Sequence, residues 1–152
     1  MEMTKLMNRL IKHWQDQGIE IIPKPLNEVE DFEALNQWSL PNDFKQFYSR
    51  VNGMSSYFPN EIDDEGFLFY PLESILPSKQ EFEGFALAEN HHLYIFADYM
   101  HKSWWYGVEI KPDGKYLIGI IPDKLNFKPI TDSLSEFIAL YIENSSKLYD
   151  YN

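Results

Sequence analysis

His91, His92, Asp98 and His101 fall in one short stretch and carry side chains able to hold zinc or pass protons near neutral pH. Their spacing matches no ligand motif, and they flank a predicted strand, so nothing in the sequence makes the four converge. Polar residues at strand ends are the preferred reading, and no metal is expected. Glu61, Asp63 and Glu65 alternate ahead of Gly66 as the first ligands of a calcium-binding EF-hand loop do. That register assigns the closing bidentate acid to Leu72, and Tyr57-Phe58-Pro59 stands where a helix should enter, so calcium is disfavoured. A phosphate-cradling loop around Gly114-Lys115 would need glycine at position 109 and Ser or Thr at 116, where the chain has Glu109 and Tyr116. No serine lies in a Gly-x-Ser-x-Gly elbow, no His-Glu-x-x-His pair is present, and no acid–base pair stands out among the 24 acids. The expectation is a non-enzymatic protein that uses no cofactor.

The run Glu61-Ile62-Asp63-Asp64-Glu65 concentrates negative charge, and close carboxylates raise a local potential that attracts cations. It reads either as a docking patch for a basic partner or as a solvated loop. Tyr57 and Phe58 precede it and could act as interface anchors. Trp105 shares a predicted strand face with Ser103, Gly107 and Glu109, which would leave an amphipathic ring free as a further anchor; packing beneath a helix is the preferred alternative. A second acidic group, Glu28, Glu30, Asp31 and Glu33, is read as early-helix acids at the positive end of a helix dipole.

These residues must be positioned by the elements around them. Leu6, Met7, Leu10, Ile11 and Trp14 recur at helical spacing between Thr4 and Gln17, with Gly18 as the stop. Ile19 to Ile22 is read as a short strand ended by Pro23-Lys24-Pro25. Asn27 with Glu30 has the spacing of a capping box and predicts a second helix ending near Trp38. Leu40-Pro41 opens a third, with Phe44, Phe47, Tyr48 and Val51 along one side and Asn52-Gly53 as the stop. Strands are predicted at Gly66 to Tyr70, Leu93 to Ala97, Ser103 to Ile110 and Lys115 to Ile121. Lys111-Pro112-Asp113-Gly114 turns the last two into an antiparallel hairpin. In its first strand Trp104, Tyr106, Val108 and Ile110 share one face and Trp105 lies on the other. Leu93 to Ala97 and Tyr116 to Ile121 are apolar on both faces, so the sheet needs cover on both sides. Ser133 with Glu136 caps a closing helix carrying Phe137, Leu140, Tyr141, Asn144 and Leu148. The predicted class is α+β, a mainly antiparallel central sheet flanked by N-terminal helices and a C-terminal helix.

With 152 residues, 44% of them apolar, and no repeat or Gly/Ser linker, one domain over residues 1–152 is expected. The absence of cysteine excludes disulfides, thiolate nucleophiles and thiolate metal sites. A formal charge of -11 repels phosphate backbones, so direct nucleic-acid binding is not expected, while association with a basic partner would be steered and salt-sensitive. The first residues form no secretory signal and no apolar run is long enough to span a bilayer, so a cytoplasmic protein is expected. On that expectation the sequon at Asn144 is discarded.

Trp38-Ser39-Leu40-Pro41-Asn42-Asp43-Phe44-Lys45-Gln46-Phe47-Tyr48, followed by Asn52-Gly53, resembles the opening signature of the SUKH superfamily, which includes the Smi/Knr-type domains. Gly66-Phe67-Leu68-Phe69-Tyr70-Pro71-Leu72 is similar to its next strand and turn. Ile95-Phe96-Ala97-Asp98 and Trp105-Tyr106-Gly107-Val108 resemble its central strands, and Ser133 to Tyr141 its closing helix. Met54 stands where many relatives have another glycine. The resemblance covers roughly residues 27–145 and implies a sheet flanked by helices. For bacterial members it implies an immunity protein that neutralises a polymorphic or contact-dependent toxin, often a nuclease or deaminase. It supplies no catalytic constellation. The wider superfamily also permits an intracellular regulatory protein–protein interaction module.

Overall fold

Leu6, Met7, Leu10 and Trp14 line the buried side of α1 (Met3–Gln15), and Gly18, at a φ of 79°, turns the chain out of it. The computed structural model describes residues 3–54 and 63–149. Residues 19–22 form no strand; Ile19 is buried, and its amide returns to the Trp14 carbonyl as part of the helix stop. α2 (Leu26–Asn36) begins after Pro25, whose carbonyl accepts from the amides of Glu28 and Val29. Asn27 therefore lies inside the first turn, and the anticipated capping box does not form: proline, with its fixed φ and no amide, sets the start instead. α3 (Asn42–Arg50) buries Phe44, Phe47 and Tyr48, with Pro41 at its N-cap.

The sheet is antiparallel throughout. Its strands are β1 (Phe67–Phe69), β2 (Leu76–Pro77), β3 (Leu93–Tyr99), β4 (Trp104–Ile110), β5 (Tyr116–Ile121) and β6 (Lys128–Thr131). They run in the order β1-β3-β4-β5-β6, and β2 also pairs with β3. The predicted hairpin joins β4 to β5, with Ile110 opposite Tyr116 and Gly114 at a φ of 88°. Ser133 Oγ accepts from the Glu136 amide at 3.2 Å and starts α5 (Leu134–Ile142). The Ser133 amide turns to Thr131 Oγ1 instead of to the Glu136 side chain, so only the serine half of the expected box forms.

Both sheet faces are covered. On one, α1, α3 and α5 bury Phe67, Phe69, Phe96, Tyr106, Val108, Ile118 and Ile120 in a single apolar core, with Trp104 and Ile110 at its margin. On the other, Leu93, Ile95, Trp105 and Ile121 lie beneath Phe82, which caps the end of α4 (Ser78–Glu81), and Leu87 of the 3-10 turn Ala86–Glu89. The alternation in β4 thus sends its two tryptophans to different cores.

Candidate partner-binding surface

Asp63, inside the acidic run, opens the second described stretch of the chain, and its carboxylate turns inward. It is 5% exposed. Its Oδ1 accepts from the amides of Glu65 at 2.9 Å and Phe67 at 2.8 Å. Its Oδ2 accepts from the Tyr141 hydroxyl, which itself accepts from Trp14 Nε1 at 2.8 Å. Trp14 belongs to α1 and Tyr141 to α5, so one buried chain of polar groups ties two helices to the start of β1. Burial raises the Tyr141 phenol above its ordinary range, and the charge and hydrogen bond of Asp63 add to the shift. The phenol therefore keeps the proton it donates.

The inward turn corrects one expectation. Asp63 is a structural group and offers partners no free carboxylate. Asp64 and Glu65 remain exposed. The Asp64 amide donates to Gln17 Oε1 at 2.7 Å, and Asn144 Nδ2 donates to Glu65 Oε2 at 3.5 Å. These two carboxylates are consequently presented between the ends of α1 and α5. Glu61, Tyr57 and Phe58 lie outside the described residues.

Trp105 is corrected in the same way. It is buried with its ring edge-on to Phe82 at 5.0 Å, so packing beneath a helix takes precedence over a free anchor. Its Nε1 has no hydrogen-bond partner among the described residues.

The histidines do not assemble with Asp98. His91 borders a cavity of about 550 Å³ with Pro77, Glu83 and Glu89. His92 borders another of about 260 Å³ beside Tyr94. Asp98 borders a third of about 210 Å³, with Tyr70 and Lys102. None of the three contains two members of the quartet. Among the described residues no group of three or more His, Asp or Glu side chains could hold a metal ion, and no helix is long and apolar enough to cross a membrane.

The sequence reading missed Trp14 and Tyr141 as the holders of Asp63. A signal existed in kind, since a buried Trp or Tyr needs a partner for its polar tip, but which partner depends on the tertiary fold.

Over residues 25–140 the chain matches the SMI1 / KNR4 family (SUKH-1). It belongs to that family. The match runs from the start of α2 into α5, and so takes in every strand of the sheet. SUKH-1 domains are generally non-enzymatic, immunity-type domains that typically bind partner proteins. No curated protein matches the chain.

Proposed function

We propose that this chain is an immunity protein that binds a cognate polymorphic or contact-dependent toxin domain and blocks its active site or substrate path. Family membership carries the reading. Electrostatics supports a mode of action: a nuclease needs a positive surface to gather phosphates, and a chain of net charge -11 can occupy that surface. In this reading Asp64 and Glu65, with Glu61 beside them in sequence, steer the encounter. Tyr57 and Phe58 supply apolar contact, and the complex forms in the cytoplasm.

The test is coexpression with the candidate toxin domain encoded by the neighbouring gene, scoring both growth and an isolable complex. Rescue together with copurification is expected. Rescue without a complex, or no rescue by a folded protein, would overturn direct inhibition. Within the complex, the triple variant Glu61→Gln, Asp64→Asn, Glu65→Gln should associate about tenfold more slowly at low salt and approach the wild-type rate as salt screens the field. Association rates identical to wild type at every salt concentration would remove these residues from the mechanism.

A further inference from the structure

Asp98 lies near the end of β3, paired across the ladder with Trp105 and turned away from the helical core. It is 2% exposed. Oδ2 accepts from the Tyr70 hydroxyl at 2.6 Å, and Oδ1 accepts weakly from the Lys102 amide at 3.4 Å. Neither donor is a cation. The basic side chain at this site, Lys102, instead sends its Nζ to Glu81, at 3.2 Å and 3.3 Å from the two oxygens. Among the described residues no ion pair includes Asp98. A buried carboxylate without a cationic partner is costly, and here it borders open space: the cavity of about 210 Å³ walled by Leu68, Pro71 and Leu76.

We infer that this cavity is a socket for an arginine side chain of a partner protein. A carboxylate has roughly four acceptor sites. One on each oxygen is taken, which leaves one on each, the arrangement that a planar guanidinium engages with two parallel N–H donors. Leu68, Pro71 and Leu76 provide an apolar wall for the methylene stem. Lys102 and Glu81 neutralise one another at the rim, so the uncompensated charge of the socket is that of Asp98. Tyr70 has its phenol pushed above the ordinary range, first by burial and then by the hydrogen bond and charge of Asp98 and the charge of Glu81. It stays protonated and holds the carboxylate in place. The inference rests on partner binding by this family and names the chemistry of the contact; it does not require the partner to be a toxin.

Asp98 also supports a β3–β4 turn in which Met100, His101 and Lys102 all have positive φ, so its removal could loosen the hairpin. The test therefore uses two variants. N-acetyl-arginine methylamide is titrated into the full chain, followed by NMR at Leu68, Tyr70 and Leu76, with the neutral isostere N-acetyl-citrulline methylamide alongside. Saturable shifts with a Kd on the order of millimolar are expected for the arginine probe, at least about tenfold weaker for citrulline and for Asp98→Asn. Leu76→Trp, which occupies the cavity and leaves residue 98 an aspartate, should abolish the shifts at Tyr70 while the hairpin amides keep their positions. No saturable shift with arginine, equal shifts with citrulline, or unchanged binding in Leu76→Trp would overturn the socket. Because the probe is a small molecule, failure here leaves the toxin reading standing, and failure of coexpression leaves this result standing.

Discussion

The Asp63 carboxylate is held by two backbone amides and the Tyr141 phenol, all within a buried network. Asparagine in its place keeps one acceptor oxygen and puts an N–H₂ where another acceptor is needed. Asp63→Asn should therefore cost roughly 1.5–3 kcal/mol, the range for hydrogen bonds to a charged group, read as a lower urea midpoint. Asp64→Asn and Glu65→Gln, made singly on exposed side chains, should stay within about 0.5 kcal/mol of wild type. Equal midpoints for all three variants would mean that the network holds nothing. In the sequence these acids form one uniform run. The Asx turn from Asp63 to the amide two residues on is local and was open to reading. The bond to Tyr141, 78 residues away, depends on how α5 returns to β1, and no local pattern encodes that. Trp105 divides likewise: alternation placed it opposite Trp104, but the ring above it comes from Phe82 in a segment without helical periodicity.

Between elements, the Asn52-Gly53 stop does more than end α3. Asn52 Oδ1 accepts from the Leu72 amide at 2.9 Å, and the Met54 amide donates to the Phe69 carbonyl at 2.8 Å, which fastens the helix exit to β1 and the turn after it. Gly53 has a φ of 68°, and a Cβ there would lie 2.3 Å from the Tyr70 carbonyl oxygen. Gly53→Ala thus combines left-handed strain of roughly 1–2 kcal/mol with a clash against backbone, and a loss above about 3 kcal/mol is expected. Gly114→Ala, at a φ of 88° with nothing within 4 Å, should show the strain alone. Urea denaturation of both variants decides it, and similar midpoints would refute the close approach. Elements with strong local signals were legible: α1, α3, the β4–β5 hairpin and the serine cap of α5. The ones that escaped are short or depend on tertiary support. β6 contains Pro129, which cannot donate to a ladder, and stands at the sheet edge where that is tolerated. α4 has only four residues, and its place is fixed by burying Phe82 against the second sheet face. At α2 the capping-box spacing was present, but Pro25 overrode it.

Across the whole molecule the two cores draw heavily on phenols. Tyr48, Tyr70, Tyr94, Tyr106, Tyr116, Tyr141 and Tyr149 all have pKa values raised from the ordinary 10.0, with burial the first cause in each. Tyr149 is pushed up to about 12, helped by the charges of Tyr99, Glu65 and Asp63. Above the unfolded value the folded state binds more protons than the unfolded state, so stability falls as pH rises. This contribution is fully present below about pH 10, falls from there as the unfolded phenols ionise, and is used up only as pH passes the folded values, of which Tyr149 near 12 comes first. Added phenolate charge also deepens the self-repulsion of a chain already at -11, which acts in the same direction. The expected outcome of an alkaline titration is that most phenolate absorbance appears together with loss of the circular-dichroism signal, in one cooperative step well above pH 10. Complete phenol ionisation near pH 10 with the secondary structure intact would show that the aromatic cores admit water freely. That result would contradict the two-faced packing on which the positions of Asp63, Asp98 and Trp105 all depend.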